Sequence, residues 1–255
     1  MIIKFMKVTI ITVCYNAEKT IEDTIKSVLG QTHKNIEYII VDGASTDNTM
    51  KVVEKYKDRI AKIVSGRDRG MYDALNKGIA MATGEVIGSL NSDDFYYNVG
   101  VVERVVRAFD DFGCDAVYGD LQYISKFNTA KLVRFWKAGE YALWKLAAGW
   151  MPPHPTFFVK RSIYMRYGGY RLDMRLAADY ELMLRFLKKG NIRAGYIPEV
   201  LTYMRAGGMG EKNFSSKLNE WRDVYRAWLV NGFGFPILMP LRAFTRVIQL
   251  FSTKR

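Results

Sequence analysis

Val86-Ile87-Gly88-Ser89-Leu90-Asn91-Ser92-Asp93-Asp94 is the stretch of this chain that decides the fold. Its first five residues form an apolar run, which is typical of a strand buried in a sheet. Asp93 and Asp94 follow at the carboxyl end of the strand, where open α/β sheets bind their ligands. Adjacent carboxylates at that edge suit Mg²⁺ or Mn²⁺ carrying a diphosphate. The alternative is a solvated loop in which one aspartate caps a helix beginning near Val99.

Short apolar strands alternate with amphipathic helices before this stretch. Strands are predicted at 8–13, 37–41 and 60–64, and helices at about 20–29, 49–56 and 71–80. This alternation is typical of an α/β fold whose mostly parallel sheet carries helices on both faces. The second half is less regular, with strands predicted at 116–121, 132–135 and 156–159, a helix at 178–189, and a Gly-rich mobile lid at 205–212.

A third acid has an equivalent position at the end of a strand. Asp42 ends the second predicted strand, so it should project from the same sheet edge as Asp93 and Asp94. A turn at Asp42-Gly43 is the alternative, because Asp-Gly is a common turn. Neither GxGxxG nor GxxxxGK[ST] follows a strand, which excludes those phosphate-binding loops.

Composition limits the class of protein. With 255 residues and 49% hydrophobic content, the chain can bury one substantial core, and we expect one domain with a C-terminal appendage. The only two cysteines, Cys14 and Cys114, lie in or beside apolar runs, so neither a disulfide framework nor a CxxC metal site is expected. A reducing cytoplasm fits this usage, and residues 1–5 are too few for a signal-peptide core.

The net charge of +12 requires an anionic partner, which is nucleic acid, a membrane surface or a phosphorylated substrate. From residue 224 to residue 255 there is no acid, and cations alternate with large apolar residues; these cations are Arg226, Arg242, Arg246, Lys254 and Arg255. This pattern favours an interfacial membrane segment over a nucleic-acid groove, with a packed terminal helix as the alternative. Polar residues, glycines and prolines interrupt it too often for a spanning helix.

Four ordered motifs resemble those of glycosyltransferase family 2. They are Thr12-Val13-Cys14-Tyr15-Asn16, Val41-Asp42-Gly43-Ala44-Ser45-Thr46-Asp47-Asn48-Thr49, Asp68-Arg69-Gly70-Met71-Tyr72-Asp73-Ala74-Leu75-Asn76-Lys77-Gly78-Ile79 and Asn91-Ser92-Asp93-Asp94. The resemblance covers about residues 6–210. It implies a GT-A fold, a nucleotide-sugar donor, Mn²⁺ or Mg²⁺, and transfer with inversion. The motifs of the processive synthases, Gln-x-x-Arg-Trp and membrane-spanning helices, are absent, which favours transfer of a single sugar.

The resemblance also divides the chain. It implies a catalytic domain over 1–216, with a nucleotide-sugar-binding half at about 6–98 and an acceptor-binding half at about 99–216. The basic amphipathic segment over 217–255 then lies outside that domain, and we expect it to bind an anionic membrane surface.

Roles for donor-binding residues follow from the same resemblance. Tyr15 and Asn16 would line the nucleotide pocket, and Asp42 would accept a hydrogen bond from the base. The other donor-binding candidates are Ser45, Asp68, Arg69, Asp73, Asn76, Lys77 and His154. Of these, His154 lies in a Pro-Pro-His-Pro stretch and could contact diphosphate, metal or acceptor, although a structural histidine is the alternative.

The metal site is expected at the fourth motif. Asp94 would hold the metal on the diphosphate, and Asp93 would contact the ribose or the metal. Asn91, a further donor-binding candidate, stands where many relatives carry a third acid, so the site has one negative charge fewer.

A base is needed because the acceptor hydroxyl must lose its proton as it attacks the anomeric carbon. Asp179 in Leu176-Ala177-Ala178-Asp179-Tyr180-Glu181-Leu182 is similar to the acidic motif that begins the acceptor-facing helix of the family. A helix N-cap is the alternative role of Asp179. Glu181 is the weaker candidate, because it should point in another direction on the helix.

The expected reaction is transfer of one sugar, most simply from a UDP-sugar, to a lipid-linked saccharide at the cytoplasmic face of the membrane during surface polysaccharide synthesis. A sugar-nucleotide-forming nucleotidyltransferase would need a Gly-rich basic loop after the first strand, and Cys14-Tyr15-Asn16-Ala17-Glu18 is not such a loop. A non-catalytic basic protein that binds membrane or nucleic acid is the other alternative. The presence of Asp94 and Asp179 favours the enzyme, with no nucleic-acid partner.

Overall fold

A nine-stranded sheet runs through the centre of the molecule. The structure is a computed structural model that describes residues 6–174, 176–207 and 214–234, with the backbone alone over 214–221. The first half alternates strand and helix as predicted: β1 (Val8–Cys14), α1 (Ile21–Leu29), β2 (Ile36–Asp42), α2 (Thr49–Glu54), β3 (Lys62–Ser65), α3 (Met71–Met81) and β4 (Val86–Ser89).

The second half adds antiparallel strands and further helices. Its elements are β5 (Phe95–Tyr96), α4 (Val101–Phe112), β6 (Ala116–Ile124), β7 (Leu132–Trp136), α5 (Leu143–Ala147), β8 (Phe158–Lys160), α6 (Arg161–Tyr167), α7 (Ala178–Leu184), β9 (Ala194–Arg205) and α8 (Phe214–Val230). The predicted helix at 178–189 is α7 followed by one π-helical turn, Arg185–Lys189.

The order of strands brings the ends of both halves of the chain to one edge. The sheet runs β3-β2-β1-β4-β8-β6-β9-β5, with β7 paired to β6. Strands β1 to β4 are parallel, and β8 is antiparallel to both β4 and β6. Strand β6, and β9 which is parallel to it, therefore point in the same direction as β4. The carboxyl ends of all these parallel strands lie at one edge of the sheet.

Both faces of the sheet are buried, as the apolar strands predict. Alternate residues point to opposite faces of a strand. Ile11 and Ile39 contribute to one apolar core, whereas Ile10 and Ile40 contribute to the other. Each core is closed by helices, so the strands need no polar face.

Strand β9 was not predicted, although it is the longest strand in the part of the chain described. Gly195, Pro198 and Glu199 interrupt its apolar alternation. Its pairing with β6 also shifts register around Asp120, so no simple period is visible in the sequence. The strand ends at Arg205, which is buried rather than part of a mobile lid. Positions 208–212 of the predicted lid lie outside the described residues.

Helix α8 packs on the domain. Val224, Ala227 and Trp228 are buried in the same core as α7. The predicted membrane segment 217–255 therefore begins inside a helix whose buried residues belong to the folded domain. The rest of that segment, 235–255, with Arg242, Arg246, Lys254 and Arg255, lies outside the described residues. Among the helices that the structure describes, none is long and apolar enough to cross a bilayer.

Candidate active site

The carboxyl edge of β1 to β4 forms the floor of the candidate site. Cys14 pairs with Asp42 and Asp42 pairs with Ser65 across β1, β2 and β3, so these strand ends lie side by side. Ser89, the last residue of β4, pairs with Ile11 on the other side of β1. This is the edge at which open α/β sheets bind ligands.

Asp42 organises the loop after β2. Its carboxylate is fully enclosed and accepts hydrogen bonds from Ser45 Oγ at 2.5 Å and Ser65 Oγ at 2.6 Å. The Ser45 amide at 3.0 Å and the Cys14 thiol at 3.6 Å complete this set. The expected hydrogen bond from the base to Asp42 does not fit this enclosure, because the donors already surround the carboxylate. Asp42 instead fixes the shape of the loop.

Tyr15 and Asn16 meet that loop from the end of β1. Asn16 has a positive φ of 50°, its Oδ1 accepts the Thr46 amide at 2.9 Å, and its own amide donates to Ser45 Oγ at 2.8 Å. The Tyr15 side chain is 64% exposed, so the ring is open to a stacking partner. Ser45 therefore contacts both Asp42 and Asn16, which it joins.

Gly43 allows the two walls of this pocket to approach. A Cβ at Gly43 would lie 2.8 Å from Asp68 Oδ2 and 3.5 Å from Tyr15 Cδ2. Asp68 lies before α3, and its Oδ1 accepts the Gly70 amide at 2.8 Å. Tyr15, Gly43 and Asp68 thus come from three separate segments and lie close together.

The first turns of α3 carry positive charge. Asp73 accepts the Arg69 amide at 3.1 Å and lies 3.7 Å from Lys77 Nζ. The Arg69 amide, followed by the Arg69 and Lys77 charges, lowers the pKa of Asp73. The Arg69 side chain is 76% exposed, and Lys77 also donates to the Arg67 carbonyl at 2.9 Å. Both cations are within reach of solvent near the sheet edge, where an anion could bind.

Asn76 connects α3 to the loop before α7. Its Nδ2 donates to the Tyr170 carbonyl at 2.8 Å, and its Oδ1 accepts the Tyr170 amide at 2.7 Å. A Cβ at Gly169 would lie 2.3 Å from that Oδ1, so only glycine fits there. Both polar atoms of the amide are used within the protein. The structure therefore gives Asn76 a positioning contact rather than the expected donor contact.

Asp93 and Asp94 have different surroundings. Asp94 is fully buried, with its Oδ2 accepting Asn91 Nδ2 at 3.0 Å and its Oδ1 accepting the Arg205 amide at 3.3 Å. Burial and the neighbouring Asp93 charge raise the pKa of Asp94 well above its ordinary value. Asp93 is only partly buried. Asp93 is the more accessible of the two carboxylates, and the metal contact expected of Asp94 stays a prediction. Helix α4 begins at Val101 after Gly100, so neither aspartate is its cap.

Arg205 is a site residue that the sequence did not reveal. Its side chain is 5% exposed, and it donates through Nη1 to the Asp93 carbonyl at 2.7 Å and through Nη2 to Asp23 Oδ2 at 2.5 Å. The guanidinium carbon lies 5.0 Å from the centre of the Phe95 ring. Arg205 ends the unpredicted strand β9, so no local signal placed it beside the fourth motif.

Asp179 and His154 lie close together near the strand end of the fourth motif. Ala177 occupies the N-cap of α7, so Asp179 lies in the first turn and is not the cap. His154 Nδ1 lies 3.8 Å from Asp179 Oδ2, and its Nε2 lies 3.3 Å from Asn91 Nδ2. Desolvation lowers the pKa of His154, although the charges of Asp179 and Asp93 oppose it. A neutral imidazole therefore lies between the two groups.

Two tyrosines that received no predicted role also surround Asp179. The rings of Tyr72 and Tyr170 stack with centroids 5.3 Å apart. Burial first, and then the Asp179 charge, raise the pKa of both phenols. Tyr72 belongs to the third motif, whereas Tyr170 lies in the irregular second half. Their hydroxyl groups stay protonated and provide polar surroundings for the carboxylate.

Glu181 has a structural role. It is 1% exposed, pairs with Arg185 at 2.9 Å and accepts Asn231 Nδ2 at 2.9 Å. The side chain thus joins α7 to the end of α8 and does not face the cleft. Of the two predicted bases, only Asp179 lies beside His154 and the sheet edge.

The residues fit a metal that arrives together with phosphate. No group of three His, Cys, Asp or Glu side chains suitable for a metal ion occurs in the described part of the chain. Asp93 is a single accessible carboxylate, and Mg²⁺ is commonly held by one or two carboxylates with substrate phosphates and water. This donor set is consistent with a metal–diphosphate complex and not with a closed protein cage.

Solved structures share this architecture. Staphylococcus aureus TarS 1-349 in complex with UDP-GlcNAc superimposes with a TM-score of 0.72 at 17% identity, over 94% of this chain and 73% of that one. This chain covers 44% of the longer TarS chain. The mannosyltransferase PcManGT of Pyrobaculum calidifontis, in complex with GDP-Man and Mn²⁺, gives 0.68 at 19% identity, over 97% and 72%. The fold is the GT-A fold of glycosyltransferases, which confirms the predicted class.

The sequence gives the family. The profile of glycosyl transferase family 2 matches residues 9–168, which is more than half of the chain. The uncharacterized glycosyltransferase Rv1514c of Mycobacterium tuberculosis is 32% identical over 70% of this chain and 68% of its own length. A PGL/p-HBAD biosynthesis glycosyltransferase of Mycobacterium bovis is 26% identical over 82% and 83%. The chain belongs to glycosyl transferase family 2 and is a glycosyltransferase, as predicted.

Proposed function

We propose that this glycosyltransferase moves one sugar from a nucleotide-sugar, a UDP-sugar, to a hydroxyl of a saccharide acceptor with inversion. One observation carries the proposal. The side chains of Asp179, His154, Asn91 and Asp94 follow one another in contact from the acceptor-side helix to the donor-side sheet edge. These contacts support a site in which Asp179 would act as the base and the strand end at Asn91 and Asp94 would lie near the diphosphate.

The donor nucleoside would occupy the pocket around Gly43. The exposed Tyr15 ring offers an apolar face to the base, and Asp68 offers a carboxylate oxygen to a ribose or base hydroxyl or amine. Asp42 acts indirectly by fixing Ser45 and the loop. Solved structures of this fold hold UDP-GlcNAc in TarS and GDP-Man in PcManGT, so a UDP-sugar is proposed with a GDP-sugar as the alternative.

The diphosphate leaving group would lie between Asp93 and the start of α3. Arg69 and Lys77 supply positive charge for the oxygens on which negative charge grows. A bound Mn²⁺ or Mg²⁺ supplies further charge stabilisation, and Asp93 with the diphosphate would hold it. Arg205 fixes the backbone of Asp93 through its carbonyl, which limits movement of that carboxylate.

Asp179 would act as the general base. The acceptor hydroxyl gives its proton to the Asp179 carboxylate while its oxygen forms a bond to the anomeric carbon. The bond from that carbon to the diphosphate oxygen breaks, and its electron pair leaves with the diphosphate. Attack from the face opposite the leaving group inverts the anomeric centre. His154, whose Nδ1 lies 3.8 Å from Asp179 Oδ2, would help to position that carboxylate.

The acceptor is proposed to be a lipid-linked saccharide at the inner face of the cell membrane. The M. bovis relative is named for PGL/p-HBAD biosynthesis, which supports a role in the synthesis of glycans. The basic composition of the chain suits an anionic surface or a phosphorylated acceptor. Both features favour surface polysaccharide synthesis.

Calorimetric binding of UDP, GDP and dTDP, with Mn²⁺ present and then chelated, tests the donor site. We expect Mn²⁺-dependent binding of UDP by the wild type and its loss in Asp93→Ala. Asp111→Ala, at an exposed acid on α4, is the matched control and should bind like the wild type. Absence of binding for all three nucleotides would contradict the proposal and favour a non-catalytic basic protein.

A further inference from the structure

The β6–β7 hairpin, residues 121–137, is a basic surface feature that the function above does not use. It contains no acidic residue, and its cations are Lys126, Lys131, Arg134 and Lys137. Lys126, Lys131 and Lys137 are exposed. A local excess of cations without acids favours an anionic partner.

The same hairpin exposes large apolar side chains. Phe127 at its tip is 96% exposed, and Leu132 and Val133 are 47% and 49% exposed. Single exposed apolar residues are ordinary, but here a nearly bare phenylalanine lies between two exposed lysines along the chain, and the second strand of the same hairpin exposes two aliphatic residues. These side chains make up an amphipathic patch. Interfacial membrane contacts combine apolar side chains with cations in this way.

The hairpin is well supported, so the patch has a fixed direction. The Tyr123 and Trp136 rings lie nearly parallel, with centroids 6.4 Å apart and planes 5° apart, and the Arg134 guanidinium lies 4.1 Å from the Tyr123 centroid. At the tip, the Ser125 amide donates to the Lys131 carbonyl at 2.9 Å. The ordered strands therefore hold Phe127 away from the domain.

The tip lies at the same edge of the sheet as the candidate active site. Strand β6 points in the same direction as β4, and its last residue, Ile124, pairs with Arg205 on β9. Arg205 in turn donates to the Asp93 carbonyl at 2.7 Å. Arg205 thus contacts both Ile124, at the base of the hairpin tip, and Asp93 in the fourth motif. A surface bound by the tip would face the opening of the site.

We propose that the tip of the β6–β7 hairpin docks on an anionic lipid bilayer, with Phe127 in the acyl boundary and Lys126 and Lys131 at the headgroups. This inference rests on the proposed function in one respect: docking would bring the active site to an acceptor that is held in the membrane. Binding to vesicles without donor or acceptor is independent of glycosyl transfer, so the two proposals can fail separately.

Other occupants fit the surface less well. In a symmetric contact with a second copy, the cations of one hairpin would face the cations of the other. Single-stranded nucleic acid stacks its bases on open aromatic faces. Phe127 offers one such face, but the other two exposed apolar residues of the hairpin are aliphatic, and the Tyr123 ring already contacts the Arg134 guanidinium, 4.1 Å from its centroid. Hydrocarbon is the partner that suits Phe127, Leu132 and Val133 together.

A fluorophore at the tip gives a local readout. Both natural cysteines are buried, so Phe127→Cys in the full chain can be labelled selectively with an environment-sensitive dye. Met165→Cys is the matched control, because Met165 is 68% exposed on α6, which follows β8 at the opposite edge of the sheet. We expect a blue shift and brightening at position 127 with phosphatidylglycerol-containing vesicles, little change with phosphatidylcholine alone, and no change at position 165.

Charge reversal tests the electrostatic part in vesicle sedimentation. Lys126→Glu/Lys131→Glu should bind anionic vesicles at least tenfold more weakly than the wild type. Lys51→Glu/Lys55→Glu, at α2 and the residue that follows it, changes the net charge equally at exposed positions and should retain most of the binding. The proposal is overturned if the two double variants bind alike, if the dye at position 127 is silent while the protein sediments, or if it responds to RNA and not to vesicles.

Discussion

His154 Nδ1 lies 3.8 Å from Asp179 Oδ2, while the other ring nitrogen of His154 lies 3.3 Å from the Asn91 amide. A single side chain therefore lies between α7 and the loop that follows β4. Because desolvation lowers its pKa, the imidazole is neutral near pH 7 and can contact a carboxylate and an amide without adding charge.

Replacing the proposed base should remove catalysis and leave donor binding. Asp179→Asn keeps the shape of the side chain but cannot accept the acceptor proton, so we expect kcat to fall about 10²–10⁴-fold. The affinity for UDP, measured by calorimetry, should stay within about threefold, a free-energy change of about 0.7 kcal/mol. Asp111→Asn should keep wild-type activity. A large loss of UDP affinity in Asp179→Asn would show that the residue binds donor instead.

Replacing Asp93 and replacing Asp94 should change the free energy of unfolding by different amounts. Asp94→Ala removes a fully buried carboxylate and leaves the Asn91 and Arg205 donors unsatisfied, so the free energy of unfolding should fall by about 2 kcal/mol or more. Asp93→Ala changes a partly exposed side chain, and its free energy of unfolding should stay within about 0.5 kcal/mol of wild type. Urea denaturation of both variants measures this. Equal destabilisation would contradict the different surroundings described for the two groups.

Glu37 should make the domain sensitive to acid. Burial opposes its ionisation, but hydrogen bonds from Thr83 and Thr9 and the Lys7 charge prevail and lower the pKa of Glu37 to about 2. An unfolded glutamate has a pKa near 4.5. Between these values the unfolded chain binds the extra proton, so stability is lost as the pH falls from about 5 to 2, by roughly 3 kcal/mol.

Comparison with a variant isolates that contribution. Glu37→Gln should lower the free energy of unfolding at pH 7 and have a much smaller effect at pH 2.5, measured by chemical denaturation at both values. Glu54→Gln, at an exposed glutamate, is the control and should change little at either pH. A Glu37→Gln deficit that is the same at both pH values would contradict the lowered pKa.

The thermal stability of the domain should depend on where the C-terminal segment is truncated. Ending the chain after Asp223 removes the buried residues Val224, Ala227 and Trp228 and the Asn231 hydrogen bond to Glu181. Loss of a buried tryptophan alone costs about 3–5 kcal/mol, so thermal unfolding should shift down strongly. Ending the chain after Gly234 retains these contacts and should leave the melting temperature nearly unchanged.

The shorter deletion is therefore the proper test of the predicted membrane segment. If residues 235–255 contribute to membrane binding, the chain ending at Gly234 should bind anionic vesicles more weakly while it stays folded. Unchanged binding would assign the membrane contact to the folded domain, where the β6–β7 hairpin lies.

Much of the donor side could be predicted from the sequence because its signals are local. The apolar runs of β1, β2 and β4 and the helical periods between them gave the parallel sheet. Strand ends placed Asp42 and the Asp93-Asp94 pair at one edge, as the structure has them. The acceptor side was harder, since Asp179 was found by resemblance and Tyr170 and Arg205 were not found at all.

The sequence by itself determined the α/β sheet, its ligand-binding edge and the acids along that edge. These features follow from periodicity and strand-end position, which depend only on neighbours along the chain. Tertiary structure alone decided which of these acids is accessible. The Arg205 amide donates a hydrogen bond to the buried Asp94 from 111 residues away in the chain. The Asn76 amide donates to the Tyr170 carbonyl across 94 residues. Burial depends on such distant partners, and their approach is fixed only when β9 and the loop before α7 pack on the sheet.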